Sequence, residues 1–147
     1  MKIGIASDHA GFNTKEKLKE ILSQYEIIDY GNKEYDETDD YPVFAFQLGK
    51  AIVNKEVDYG IILCSNGIGV SIASNKVNGI RCALVSNLKD AIHSRNDNDA
   101  NIIALNAQEE VSKLNDYILA FINTPFSRIE RHQRRIDEIS KYESDLK

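Results

Sequence analysis

The chain has 147 residues, of which 42% are hydrophobic and 28% charged, and its formal net charge is −5. This size and composition fit one globular domain with a sizeable core, and the acidic balance disfavours wholesale binding to nucleic acid or to anionic membranes. No apolar run approaches the roughly 20 residues that span a bilayer. The apolar stretch after Met1 is too short for a signal peptide, so we expect a cytoplasmic protein.

Short β-branched segments alternate along the chain with longer segments of helical period. The first helical segment carries an apolar face of Leu18, Ile21 and Leu22 opposite lysines and glutamates. The predicted strands are 2–7, 26–31, 59–64, 80–85 and 101–106. The predicted helices are 13–24, 42–54, 67–76, 87–96, 109–123 and 127–143, and 32–41 is an acidic, turn-rich loop.

This alternation predicts a three-layer, Rossmann-like α/β fold in a single domain, 1–147, with a five-stranded parallel sheet and helices on both faces. Ligands of such sheets bind in the loops at the carboxyl ends of strands. The first such loop is SDHAG, 7–11. Asp8 either caps the following helix while His9 lies on the surface, or the two face a ligand to which Gly11 allows close backbone approach.

The loop CSNGIG, 64–69, follows an almost wholly apolar strand. Gly67 and Gly69 leave backbone N–H groups unobstructed at a helix N-terminus, an arrangement that favours an anion or a developing oxyanion. The helix dipole would stabilise a thiolate at Cys64. Cysteine is also a common buried residue at strand ends, so the pattern leaves a reagent and a core residue both open. The two cysteines of the chain make no disulfide framework or zinc pattern.

The C-terminal segment RIERHQRRIDEISKYE places Arg131 and Arg135 four residues apart, on one face of a helix. Arg128 and His132 form a second such pair on a neighbouring stripe. These side chains either form a solvated surface with the nearby acidic residues or clamp a phosphate. A terminal helix does not easily fold back over its own strand ends, so such a clamp would serve a neighbouring subunit.

Six motifs together resemble the type B ribose-5-phosphate isomerases, and the related galactose-6-phosphate isomerase subunits, over nearly the whole chain. In chain order they are SDHAG, DYP, CSNGIGVSIASNK, GIRCALVSN, SRNDNDANIIAL and RHQRRIDEI. The resemblance implies an aldose–ketose isomerase of a phosphorylated sugar that works through an enediolate, with no metal or organic cofactor. It also implies a homodimer or dimer of dimers with shared active sites.

The resemblance implies roles for individual residues as well. Cys64 matches the catalytic cysteine, and Val70 stands where some relatives use a glutamate. The loop backbone would hold the enediolate oxygen, and Asn66 occupies a position that is often threonine or serine. The matching catalytic and substrate-binding positions are Cys64, Asp97, Asp8, His9, Ser65, Asn66, Gly67, Ile68, Gly69, Asn98, Arg131 and Arg135.

Two positions depart from the family pattern. Asp97 stands where the family has its ring-opening histidine, and a carboxyl could replace it only with a raised pKa. His93, one helical turn earlier, is an alternative if it is not simply a surface or packed side chain. Gln108 stands where many members carry a further phosphate-binding arginine. We therefore favour ribose 5-phosphate as the substrate, against two alternatives: another sugar phosphate, such as galactose 6-phosphate, and a non-catalytic phosphosugar-binding module.

Overall fold

A five-stranded, all-parallel sheet forms the centre of the computed structural model, which describes residues 1–146. The strand order is β2-β1-β3-β5-β4, so the most apolar strand lies in the middle, where both of its faces are covered. The strands are β1 (Lys2–Ser7), β2 (Glu26–Asp29), β3 (Tyr59–Cys64), β4 (Cys82–Leu84) and β5 (Ile102–Asn106). The predicted parallel sheet is confirmed.

Helices cover both faces of this sheet, as the sequence predicts. They are α1 (Phe12–Ile21), α2 (Tyr41–Val53), α3 (Ile68–Ser74), α4 (Leu88–Asn96), α5 (Val111–Asn123) and α6 (Glu130–Asp145). One apolar core joins α1, α4 and α5 to one face of the sheet, and a second core joins α2 and α3 to the other. Within residues 1–146, no helix has the length and apolarity that crossing a bilayer requires.

Several predicted boundaries were wrong, each for a local reason. The last helix begins at Glu130 rather than at 127, because Arg128 has a φ of 61°, outside the helical range. Helix α3 begins at Ile68 rather than at 67, because Gly67 has a φ of 83°. Strand β4 is shorter than the predicted 80–85 and begins only at Cys82, since the Arg81 amide donates to the side-chain oxygen of Asn101 rather than to a strand carbonyl.

The two ends of the sheet carry different groups of predicted site residues. Cys64 lies at the carboxyl end of β3. Asp97 and Asn98 precede β5 at the amino end, where the Gly60 amide donates to the carbonyl of Asn101 at 2.9 Å. Five residues of strand, at about 3.3 Å each, separate these levels by about 16 Å. One chain therefore holds the cysteine and the Asp97 loop at opposite ends of its sheet.

Candidate functional site

Cys64 ends the central strand with its side chain only 6% exposed and packed against the core shared with α2 and α3. Its sulfur nevertheless contacts the loop that follows, because the amide of Gly67 donates a hydrogen bond to Cys64 Sγ at 3.2 Å. Its carbonyl accepts from the Ala107 amide at 3.0 Å, which ties β3 to the loop after β5. The thiol is thus held in one orientation beside backbone N–H groups.

The loop between β3 and α3 takes the shape that its glycines allow. The positive φ of Gly67 turns the chain so that its own amide meets the sulfur. The side-chain oxygen of Asn66 accepts from the Ile68 amide at 2.9 Å. Two of the five amides between 65 and 69 are therefore occupied, while those of Ser65, Asn66 and Gly69 have no hydrogen-bond partner among residues 1–146. These three are the donors available to an oxyanion, and those of Asn66 and Gly69 flank the occupied pair.

Asp8 and His9 occupy a short 3-10 turn directly after β1. Asp8 is 7% exposed, and its Oδ1 accepts from the amides of Ala10 and Gly11 at 3.0 and 3.3 Å. Asp8 thus caps the turn as the first alternative expected. Burial raises the pKa of this carboxyl above its ordinary value, against the lowering effect of the two amides and of His9.

His9 is held by an acidic residue, Asp39, that was not among the predicted site residues. Asp39 Oδ1 lies 2.7 Å from His9 Nδ1 and also accepts from the His9 amide at 2.9 Å. The amide group of Asn32 donates to the other Asp39 oxygen at 2.8 Å. The hydrogen bond to Asp39 raises the pKa of His9 above its ordinary value. Asp39 directly precedes the DYP motif, but nothing in the spacing of the sequence indicates that it reaches His9.

The side chains of Asp8, His9 and Asp39 lie within 4.8 Å of one another, a spacing that a metal ion could use. One oxygen of Asp8 and both oxygens of Asp39 are already bound to amides or to His9. A hydrogen-bonded cluster at the mouth of the site accounts for these contacts, and we assign no metal to it.

Gln108 reaches the same loop from the end of β5. Its Nε2 donates to Ser65 Oγ at 2.7 Å and to the Ser65 carbonyl at 3.2 Å. Asn106 holds the Gln108 backbone through a bond of 2.8 Å from the Gln108 amide to Asn106 Oδ1. Gln108 therefore lies beside the cysteine loop, where it contributes an uncharged amide.

A second group of predicted residues lies at the amino end of the sheet. Asp97, Asn98 and Arg135 line a groove of about 550 Å³ between α6 and the β4 edge, together with His132. Arg131 is exposed one turn earlier on α6. Cys64 is not among the lining residues, so the groove and the cysteine loop are separate in one chain. His93 lies on the exposed side of α4.

The predicted residues thus form two sets. Asp8, His9 and the loop 64–69 meet at the carboxyl end of the sheet, whereas Asp97, Asn98 and Arg135 meet at the amino end. Asp39 as the partner of His9 was not predicted from the sequence, and neither was the position of His132 beside Asp97. His132 lies within the RHQRRIDEI motif, but the motif does not show which residue faces Asp97.

Comparison with known proteins gives consistent matches over nearly the full chain. The Ribose/Galactose Isomerase family model matches residues 3–139. Ribose-5-phosphate isomerase B of Mycobacterium tuberculosis is 38% identical, over 97% of this chain and 90% of its own length. A putative sugar phosphate isomerase of Bacillus subtilis is 40% identical, over 97% of each chain.

Solved structures agree with these matches. Ribose-5-phosphate isomerase B of Clostridium thermocellum superposes with a TM-score of 0.95 at 39% identity, over the whole of both chains. The Mycoplasma genitalium enzyme, solved with bound ribulose-5-phosphate, superposes with a TM-score of 0.90 at 39% identity, over 97% of this chain and 96% of that one. With its sequence and fold both matched, the chain belongs to the ribose/galactose isomerase family.

Proposed function

We propose that this protein interconverts ribose 5-phosphate and ribulose 5-phosphate, in the cytoplasm, with Cys64 as the base. The observation that carries the proposal is the contact of 3.2 Å between Cys64 Sγ and the Gly67 amide, in a loop whose Asn66 and Gly69 amides have no partner among the described residues. Relatives named for this reaction, one of them solved with ribulose-5-phosphate, support the choice of substrate.

The proposed reaction moves one proton between adjacent carbons. The Cys64 thiolate removes the proton from C2 of the open-chain aldose and returns it to C1 of the enediolate, while the hydroxyl proton of O2 passes to O1. The negative charge that develops on the oxygen is stabilised by the amides of Asn66 and Gly69, which are preorganised at a helix N-terminus. Asp8 and His9 would hold the sugar hydroxyls from β1. These residues leave the negative charge of the substrate phosphate without a cationic partner.

A second copy of the chain would supply the phosphate clamp. The cysteine loop and the groove that contains Arg135 lie at opposite ends of one sheet, so a complete site needs the groove of a partner. Apolar side chains beside the cysteine loop offer a contact surface, since Ile68 and Ile72 on α3 are 50% and 59% exposed and Leu84 on the edge strand is 43% exposed. We infer a homodimer, in which α6 of each chain faces the cysteine of the other.

Incubation of the protein with ribose 5-phosphate in heavy water tests the reaction. Ribulose 5-phosphate should form with deuterium at C1, and ribose 5-phosphate should acquire deuterium at C2 as the reaction reverses. Proton NMR follows both positions. Binding of the sugar phosphate without exchange at either carbon would contradict the proposal and favour a non-catalytic phosphosugar-binding module.

Gln108 gives one specific reason to test a second substrate class. An uncharged amide beside Ser65 replaces a charge-assisted bond to phosphate, whose loss costs roughly 1.5–3 kcal/mol. A longer sugar would place its phosphate differently, so six-carbon aldose phosphates such as galactose 6-phosphate belong in the same assay. A kcat/KM higher for a six-carbon substrate than for ribose 5-phosphate would transfer the assignment to that sugar.

A further inference from the structure

Asp97 and His132 meet across two elements that are distant in the sequence. Asp97 caps the C-terminus of α4, His132 lies in the first turn of α6, and Asp97 Oδ1 is 3.5 Å from His132 Nε2. The His132 side chain is 13% exposed and the Asp97 side chain 33% exposed. The side chain of Asn96 donates to the same Asp97 oxygen at 2.7 Å, which fixes the carboxylate. The imidazole is therefore held beside a carboxylate of defined orientation.

The pair faces the groove that also contains Asn98 and Arg135. The other charged side chains that line this groove are Arg81 and Glu143. Each has a separate partner, since Arg81 bonds to the 98–99 backbone and Glu143 accepts from the Gly79 amide at 2.9 Å. His132 is the one imidazole among the described residues of this groove.

Opening a cyclic sugar phosphate requires an acid at the ring oxygen and a base at the hydroxyl of C1. A carboxylate only accepts protons, whereas an imidazole can carry a proton on each ring nitrogen and donate one. Asp97 alone thus suits the base and not the acid. The imidazole beside it suits the acid.

We propose that His132 is the acid that opens the sugar ring, with Asp97 as its carboxylate partner, a role that rests on the isomerase function proposed above. His132 gives a proton to the ring oxygen as the bond from C1 to that oxygen breaks. The hydroxyl proton of C1 passes to the Asp97 carboxylate, and its bonding electrons form the C1 carbonyl. The pair gives one proton and receives one, so a transfer through water restores it.

The test compares a substrate that must be opened with one that is already open. Ribulose 5-phosphate has no hydroxyl placed to close a five- or six-membered ring, so exchange of its C1 proton in heavy water requires Cys64 but no ring opening. In the His132→Asn variant, kcat/KM for ribose 5-phosphate should fall by about a hundredfold. Exchange at C1 of ribulose 5-phosphate should stay within a few-fold of wild type.

Three results separate the possibilities. Unchanged turnover of ribose 5-phosphate by His132→Asn would overturn the role of His132, and so would an equal loss of turnover and of C1 exchange in a folded variant. Absence of turnover in the wild-type protein would instead refute the isomerase function. His93→Asn, an exposed histidine on α4, is the matched control and should leave both activities unchanged.

A second variant guards against the case in which His132→Asn loses activity only because it is less stable, since it tests for a gain of activity. Adding Asp97→His to His132→Asn places an imidazole at the groove from the α4 side. Ring opening should then recover at least in part, measured as ribose 5-phosphate turnover relative to C1 exchange. If the double variant turns over ribose 5-phosphate no faster than His132→Asn, an imidazole at this groove is not what ring opening requires.

Discussion

Cys64 is almost fully buried, yet its sulfur accepts a hydrogen bond from the backbone amide of Gly67 at the end of its strand. An amide donor at 3.2 Å stabilises a thiolate more than a thiol, because the charge on sulfur strengthens the bond. The surroundings of the second cysteine disfavour its thiolate. Burial raises the pKa of Cys82 to about 12, against the lowering effect of nearby serine hydroxyls.

The two cysteines should therefore differ in reactivity. We expect iodoacetamide at neutral pH to modify Cys64 before Cys82, because the thiolate is the nucleophile and Cys82 holds its proton up to a pH near its pKa of about 12. Peptide mass spectrometry measures each rate, and loss of isomerase activity should follow the modification of Cys64. The Cys64→Ala variant should lose turnover while its affinity for phosphate ligands stays within a few-fold. Equal modification of both cysteines would contradict this account.

The bond between His9 and Asp39 makes a pH-dependent contribution to stability. Because the folded-state pKa of His9 is raised, this contribution is fully present below the unfolded pKa of about 6.5 and is lost as the pH rises through the folded value. In Asp39→Asn, the pKa of His9 measured by NMR should fall toward its ordinary value. The free energy of unfolding should decrease more in acidic than in alkaline buffer.

The neighbouring carboxylate provides the control for this substitution. Asp40 precedes α2 and makes no side-chain bond to the helix amides. Asp40→Asn should leave the pKa of His9 and the pH profile of stability unchanged. A stability loss in Asp39→Asn that is independent of pH would show that the bond between Asn32 and Asp39, and not the imidazole, accounts for the effect.

At the scale of elements, the turn from β3 into α3 determines where the sulfur meets its amide. Gly67 has a φ of 83°, and a Cβ added there would lie 2.7 Å from Leu84 Cδ1 and 3.0 Å from the backbone of Leu105. Backbone cannot move aside as a side chain can. The turn thus depends on glycine both for its conformation and for the space beside β5.

Gly67→Ala should lower the free energy of unfolding by more than the roughly 1–2 kcal/mol that a left-handed conformation costs. It should also lower kcat, because the amide moves away from Cys64. Gly79→Ala is the matched control, since its φ is 91° but its nearest neighbour would be 3.4 Å away. Both substitutions place an alanine at a positive φ, but only Gly67→Ala also brings a Cβ against the backbone of Leu105. The free energies of unfolding, measured by chemical denaturation, therefore separate the backbone strain from the steric clash. Equal losses of stability would show that the Leu105 contact is unimportant.

The elements themselves were largely predictable, because parallel sheets and amphipathic helices have periods that the sequence displays. The bounds of β1 and β3 agree with the prediction. Helices also cover both faces of the sheet, as predicted. The strand order was not predictable, since periodicity carries no information on neighbours. The start of α6 depends on one positive φ at Arg128, and arginine gives no signal for it. The pairing of Asp97 with His132 depends on how α6 docks, which no local pattern encodes.

At the scale of the whole molecule, the direction of the strands separates the two halves of the proposed site. Crossing helices carry the chain from the carboxyl end of one strand back to the amino end of the next, so a loop before β5 cannot lie beside a loop after β3. Because of this topology and the position of the groove that contains Arg135, the proposed site needs residues from two chains. The symmetric dimer that we propose would have two identical composite sites.

Mixing two inactive variants tests this arrangement. Cys64→Ala and Arg135→Ala should each turn over little substrate alone, since each homodimer lacks one half of both sites. After co-refolding at equal concentrations, half of the dimers are mixed, and each mixed dimer has one intact site. Activity should return to roughly a quarter of the wild-type value. The paired control, Arg131→Ala with Arg135→Ala, has both changes in the same half and should gain no such activity. If the mixture of Cys64→Ala and Arg135→Ala stays inactive although mass spectrometry detects mixed dimers, the cysteine and the arginine do not serve one site across the interface.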